Sequence, residues 1–413
     1  MATKRYVPRN YRWFNKLLRS SFGMWLKRFY KIRCRGKDVS WNLRPPFVLV
    51  ANHVTMLDPF ILSVFVREPV YWITADGNMR SRTMKALLRM VGSIPKSKAI
   101  PDIVTVNWIV DVIRKRKGVV GIFPEGQATW DGRTLPMIPS TAKLLKLLKV
   151  PVLAAVIRGG FSSLPRWSWA ARRGMIEVDF SVILSASELK SLSLEEIGGR
   201  LDEALAHDES SWNRATRNPF DSARRAEHLE IPLFMCPACE TIGAMHSRGN
   251  RLACAACGRS IGIDEYSRFR SPSEGMPFFS TIPEWSDWQQ LAFDRFLERK
   301  SASDKPLFSD TGVRLLRGRK MAPLRLLASG TLVLFADRLE LSSPSGARLS
   351  YPLASIEGAG VLKHDLFEFY VGRDLFQARF SQRRSSSLKW LKGIEKLERI
   401  RARDATAEAG GVI

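Results

Sequence analysis

A chain of 413 residues with 45% hydrophobic content is too long for one ordinary domain and apolar enough to build packed cores rather than a disordered tail. Its formal charge of +25 and pI near 10.3 point to a polyanionic partner, whether nucleic acid, anionic membrane or phosphorylated substrate. No run of about 18 apolar residues is available to cross a bilayer, no uninterrupted apolar core marks a secretory signal, and the cysteines set no disulfide framework. A cytoplasmic protein, at most peripherally bound to the inner face of the cell membrane, is expected.

Residues 1–40 form a segment of their own. Before Asp38 stand twelve Lys or Arg residues and no carboxylate, with aromatics at Tyr6, Tyr11, Trp13, Phe14, Phe22, Trp25, Phe29 and Tyr30. The pairs Trp13/Phe14, Leu17/Leu18, Trp25/Leu26 and Phe29/Tyr30 recur near helical spacing, while Arg12, Lys16, Arg19, Lys27 and Lys31 can stay solvated. This predicts an interfacial helix on an anionic bilayer or, alternatively, a helix packed on the domain with a basic outer face; an Arg-rich transit peptide is a third option.

Residues 41–222 alternate short apolar runs (Phe47 to Ala51, Val119 to Phe123, Val152 to Ile157, Ile176 to Leu184) with helical patterns at Met84 to Met90 and Thr141 to Leu148. That texture predicts an α/β domain, a mixed sheet flanked by helices. Ser193-Leu194-Glu195-Glu196 opens a helix as a capping box, with Leu194, Ile197, Leu201 and Leu205 inward. A polar connector from Glu209 to Glu230 follows, then a cysteine module (231–264), a helical linker (281–301) opened by Thr281-Ile282-Pro283-Glu284, and a β-rich module (306–405) that ends in a helix with Leu388, Leu391, Ile394, Leu397 and Ile400 on one side.

Residues five apart on an unbroken helix point about 140° apart, so His53 and Asp58 can cooperate only across a turn. Pro59 supplies one, because Asp58-Pro59 is a natural N-cap and first helical residue, leaving Asn52 to Leu57 as the loop after a strand. A carboxylate there can hold one imidazole nitrogen and leave the other as a base. By itself the spacing also fits a helix cap beside an ordinary loop histidine.

Three further segments follow in order: Gly92-Ser93-Ile94-Pro95-Lys96, Phe123-Pro124-Glu125-Gly126 and Pro151-Val152. With Asn52 to Asp58 they resemble the blocks of the glycerolphosphate and lysophosphatidate acyltransferase family: Asn-His-x4-Asp, Gly-x-Ile-Pro-Arg, Phe-Pro-Glu-Gly-Thr-Arg and an apolar segment starting Pro-Val. The resemblance implies transfer of a fatty acyl group from acyl-CoA or acyl carrier protein to the hydroxyl of a lysophospholipid, foremost 1-acyl-glycerol-3-phosphate. His53 would be the general base and Asp58 its orienting carboxylate, with Asn52, Lys96, Glu125, Gly126 and Arg158 binding substrate. Glu125 is assigned to the hydroxyl end of the acceptor and Lys96 to its phosphate. Gly126 permits a sharp turn after the strand. Two departures stand out: Lys96 replaces the family arginine, and Gln127-Ala128 replaces Thr-Arg. Arg158 and the Trp167/Trp169 pair could touch headgroup or acyl chain, although packing or interfacial anchoring suits them better.

Cys236-Pro237-Ala238-Cys239 and Cys254-Ala255-Ala256-Cys257 have the spacing of a tetrahedral zinc site, with Gly258 placed for a tight turn. Four thiolates would close the coordination shell, making the zinc structural. Arg248, Arg251 and Arg259 offer only a thin basic surface, so nucleic acid is not expected as a partner, and His246 is not needed as a ligand. The C-terminal strands and helix resemble a pleckstrin-homology-like module, in which Arg383, Arg384 and Lys389 could meet anionic lipid. The rival to an enzyme is a non-catalytic adaptor at the membrane that binds lipid or protein through the ribbon and this module.

Overall fold

The computed structural model describes residues 6–97, 103–382 and 385–410; Arg383 and Arg384 lie outside these. The chain divides into two compact units, the first drawn from residues up to Ser222 together with Glu265–Ser267, the second from Ala223–Asp264 and the chain from Arg268 onward.

The first unit is built on strands β1 (Arg33–Arg35), β2 (Phe47–Ala51), β3 (Val70–Ala75), β4 (Ile94–Lys96), β5 (Val119–Ile122), β6 (Val152–Arg158) and β7 (Glu177–Leu184). They form one mixed sheet in the order β1-β7-β6-β2-β5-β3-β4, parallel except where β7 runs against β6. Every residue of β2 is buried, as a central strand covered on both faces requires, which is why its sequence is an unbroken apolar run. Val48, Val50, Val120, Ile122, Val152 and Ala154 share a core with Leu145 and Leu148 of the helix Ser140–Leu148 and with Ile197, Leu201 and Leu205 of the helix Leu194–Leu205. Ser193 Oγ accepts the Glu196 N–H at 3.1 Å while Glu196 Oε2 accepts the Ser193 N–H at 2.7 Å, the expected capping box. Leu194 is not inward: at the first helical position it sits ahead of the buried stripe and is 40% exposed.

The supposed connector after Glu209 contains a helix, Glu209–Thr216, whose polar sequence hides it because only Glu209 and Asn213 are buried. Asp208 caps it, and the Glu209 carboxylate accepts from Gly159 N, Ser162 N and His207 Nε2 at 2.9 to 3.0 Å. Polar side chains hold this helix where an apolar face would normally do so.

At the N-terminus, helices Arg12–Leu18 and Met24–Phe29 run on from one another through a wider π-helical turn, Arg19–Gly23. Leu26 and Tyr30 are buried, whereas Trp13, Leu17 and Trp25 are more than half exposed. The apolar pairs are therefore split between the domain core and an outward face, and Phe22 of the turn meets Phe60 edge-on at 5.3 Å.

In the second unit, strands β8 (Met245–Arg248), β9 (Arg251–Cys254), β10 (Ser260–Ile263) and β11 (Phe269–Arg270) form a small antiparallel sheet. The helix Ile282–Lys300 locks the approach to it: Gln289 bonds both Met235 N and Pro232 O at 2.9 Å, and buried Trp285 donates to Met235 O. Strands β12 (Phe308–Gly318), β13 (Arg325–Leu334), β14 (Arg338–Ser342), β15 (Arg348–Pro352), β16 (Ile356–Leu362), β17 (Leu366–Val371) and β18 (Asp374–Phe380) make an antiparallel sheet ordered β15-β14-β13-β12-β18-β17-β16, followed by the helix Ser387–Gly410. Lys389 does not face solvent as expected: it is 2% exposed, and its Nζ lies 2.9 Å from Asp310, which also accepts from Trp390 Nε1 at 2.7 Å. Among the described residues, no helix is long and apolar enough to cross a membrane.

Candidate active site

Parallel strands deliver their following loops to one edge of a sheet, and loops that follow neighbouring strands can therefore share a site. Val50 pairs with Ile122 and Ala51 with Ala155, so the segments after β2, β5 and β6 emerge side by side. Asn52–Asp58, Phe123–Gly126 and Arg158 all leave from that edge. Pro151-Val152 does not; it enters β6 at the opposite end, where Pro151 O accepts from Val48 N, and its role is to build the sheet.

The turn between His53 and Asp58 exists, with one residue's difference from expectation: the helix Asp58–Ser63 has Leu57 as its N-cap and Asp58 as its first residue. The Asp58 carboxylate consequently reaches backward. Its Oδ2 lies 2.7 Å from His53 Nδ1 and accepts from Val54 N at 2.8 Å and Thr55 N at 3.0 Å. Asp58 is fully buried, and desolvation pushes its carboxyl above the usual carboxylate range, with the His53 contact and the two backbone donors working against that push. An imidazole that donates from Nδ1 to such an acceptor keeps the lone pair on Nε2. The His53 side chain is 20% exposed, so the residue is not fully enclosed.

Glu125 is placed differently from expectation. It is 5% exposed; Oε1 accepts from His53 N at 2.6 Å and Oε2 from Leu135 N at 2.8 Å. Burial, with a contribution from nearby Asp58, raises its carboxyl to about 8. Both oxygens thus serve the protein's backbone, and Glu125 shapes the loop that holds His53. Gly126 makes the expected sharp turn, at φ +71°. On its other side His53 accepts from Thr129 N at 2.9 Å.

Asn52 is likewise interior. Its Nδ2 donates to Ile157 O at 2.9 Å and its Oδ1 accepts from Ile157 N at 2.7 Å, stitching the end of β2 to β6. With both amide groups used and no exposed surface, it supports the loop from within. Arg158 is held by an ion pair to Asp179 of β7. Lys96 is half-buried at the end of β4, which stands three strands from β2, about 14 Å by ordinary strand spacing.

Several neighbours of the site carry no sequence signal. The His53 ring stacks on Phe123 with centroids 4.2 Å apart, and Phe123 stacks in turn on Trp72 at 5.0 Å. Phe123 is visible in the sequence as a strand end and the first residue of the Phe-Pro-Glu-Gly block, with nothing to mark it as a partner of His53, and Trp72 not at all. Arg166 comes from 38 residues downstream to donate to Ala128 O at 2.7 Å and Gln127 Oε1 at 3.3 Å, with its guanidinium 3.9 Å from the Trp130 ring centre. A positive charge thus returns to the segment where Gln127-Ala128 removes one, and burial lowers its pKa to about 9. Trp167 is fully buried while Trp169 is 60% exposed, so the pair divides between packing and surface.

In the second unit, the Sγ atoms of Cys236, Cys239, Cys254 and Cys257 lie within 4.8 Å of one another. The Cys236–Cys257 and Cys239–Cys254 sulfurs are 3.7 Å apart. Four thiolates about 2.3 Å from a tetrahedral ion would be separated by about 3.8 Å, so this cluster fits one.

The acyltransferase family model matches residues 31–158. Among solved structures, the chain is similar to the crystal structure of the 1-acyl-sn-glycerophosphate acyltransferase from Thermotoga maritima, at 18% identity over 46% of this chain and 76% of that one, with a TM-score of 0.41. A likeness of that degree decides neither substrate nor mechanism. No curated protein matches. The family match spans the His53/Asp58 loop and the Phe123–Gly126 turn: residues 31–158 form an acyltransferase domain.

Proposed function

We propose that this chain moves a fatty acyl group from a thioester, carried by coenzyme A or acyl carrier protein, to the free hydroxyl of 1-acyl-glycerol-3-phosphate or a related lysophospholipid. The observation that carries the reading is the His53–Asp58 contact of 2.7 Å at the C-terminal edge of the sheet, inside the segment that matches the acyltransferase family. His53 Nε2 takes the hydroxyl proton as the acceptor oxygen attacks the thioester carbonyl carbon. The carbon–sulfur bond then breaks, and the imidazolium returns its proton to the thiolate. Asp58 fixes the tautomer and favours the transient imidazolium; a base so placed contributes about 10²- to 10⁴-fold. No protein nucleophile is needed, because the acceptor is the nucleophile and a thiol leaves readily.

Lys96 takes the acceptor's phosphate, Gly126 shapes the floor of the site, and Arg158 lies at its margin. The outward Trp13, Leu17 and Trp25, together with Met56 (56% exposed) and Phe60 (37%) beside the His53 loop, support a peripheral seat on an anionic bilayer at the inner membrane face. Exposed Arg12, Lys16 and Arg28 on the same helices suit that surface. The four cysteines hold a structural zinc ion, whose binding could contribute on the order of 10 kcal/mol to folding. The C-terminal module, pleckstrin-homology-like in its run of strands and closing helix, adds a lipid- or protein-binding surface.

The decisive test is a labelled acyl thioester offered with a panel of glycerophosphate and lysophospholipid acceptors to the purified protein and to His53→Ala. Transfer is expected from the native chain and at least about a hundredfold less from the variant; undiminished transfer by the variant would reject His53 as the base. Metal analysis should find one zinc per chain, with chelation or Cys239→Ser unfolding the ribbon.

A further inference from the structure

Base catalysis is sensitive to where an imidazole points, because displacement of a catalytic group by about 1 Å can cost about a hundredfold in rate. Asp58 fixes one nitrogen of His53, but a single hydrogen bond leaves the ring free to rotate about the axis it defines. A second restraint must set the plane of the ring.

The structure supplies one from across the sheet. The His53 imidazole lies nearly flat on Phe123, with 18° between planes, and Phe123 lies flat on Trp72 of β3, with 11°. Trp72 is itself pinned. Its Nε1 donates to Ser63 Oγ at 3.3 Å, and that hydroxyl donates to Pro59 O at 2.6 Å, in the helix that carries Asp58. Its ring occupies the place a side chain would take at Gly121 of β5, where a Cβ would fall 2.3 Å from the indole. Glycine is therefore required there by close approach.

We propose that Trp72 is a positioning residue for His53, acting through Phe123: the three stacked rings set the plane of the imidazole and favour its protonated form during transfer. This rests on His53 being the base. Aromatic faces attract a cation, so the stack selectively favours the imidazolium that forms when the acceptor proton is taken. Trp72 touches neither the hydroxyl nor the thioester. The other titratable groups facing His53 are Asp58 at Nδ1 and Glu125 at its main-chain N–H.

Three variants of the full-length protein test this: Trp72→Leu, Trp72→Phe and Gly121→Ala, the last driving a methyl group into the indole. For Trp72→Leu, kcat should fall about 10- to 100-fold with KM for both substrates nearly unchanged. Losing imidazolium stabilisation should also shift the acid limb of kcat/KM to lower pH by about half a unit. Trp72→Phe, which keeps a flat ring, should recover most of the rate, and Gly121→Ala should resemble Trp72→Leu. Thermal melting shows whether each variant is folded, and nitrogen NMR of the His53 ring reads its titration without any activity. If folded Trp72→Leu keeps the native kcat, pH profile and ring titration, the positioning role is overturned. If the native chain transfers no acyl group but its ring titration still shifts in Trp72→Leu, the stack stands and the reading of His53 as a base falls.

Discussion

Asp58 and Asp310 are both carboxylates inside the protein, one in each unit, and their partners give them opposite characters. Asp310 meets the Lys389 ammonium and the Trp390 indole N–H, a cation and a neutral donor. Asp58 meets an imidazole and two backbone N–H groups, and its Oδ1 has no hydrogen-bond partner among the described residues. The first arrangement fixes a helix to a sheet. The second keeps a proton available to move. Burial of a charge is thus no sign of function by itself; what matters is whether the partner can exchange a proton.

Breaking each pair should separate the two roles. Asp58→Asn should cost about 10²- to 10⁴-fold in kcat, because an amide can neither fix the tautomer nor favour the imidazolium, while a thermal melt moves little. Lys389→Met should do the reverse: it strands a half-buried carboxylate and costs up to about 3 kcal/mol in denaturant unfolding, with kcat unaltered. Replacing both partners, Asp310→Asn with Lys389→Met, keeps an acceptor for Trp390 Nε1 and should regain part of that loss.

Glu125 sharpens the contrast with a smaller effect. Its folded-state carboxyl is raised to about 8 from an ordinary 4.5, so the folded chain holds a proton that the unfolded chain has released across that window. Its contribution to stability is therefore complete below about 4.5 and lost as pH rises through about 8, on the order of a few kcal/mol. Thermal melts from pH 5 to 8 should decline, and Glu125→Gln should flatten the decline; an unchanged slope would remove Glu125 as its source.

Much of the first unit was legible because a central strand such as Phe47–Ala51 must be apolar along its whole length, and because Ser193/Glu196 and Pro59 mark helix starts by local chemistry. The helix Glu209–Thr216 was not, since carboxylate-to-backbone bonds hold it and these leave no periodicity. The candidate site followed a similar division. His53 and Asp58 are five residues apart and could be paired by eye, whereas Trp72 and Arg166 reach the site only through strand order and a return of the chain. Asn52 and Glu125 could be found but not assigned. A polar residue in a motif looks the same whether it faces a ligand or satisfies the backbone of a neighbouring strand or loop. Lys389 failed for a related reason: a lysine on an amphipathic helix is solvated unless a distant carboxylate such as Asp310 stands opposite it.

The Glu125 carboxylate spans ten residues of its own loop, holding Leu135 N with one oxygen and, with the other, the main chain of His53. Thr129, inside that span, grips His53 from the other side. The segment has the composition of a surface turn, where added length is ordinarily tolerated, but here the distance along the chain is gauged at both ends by a single side chain. Insertion scanning should therefore find an intolerant stretch between Glu125 and Leu135, and a graft of this fold would have to carry that loop at its native length.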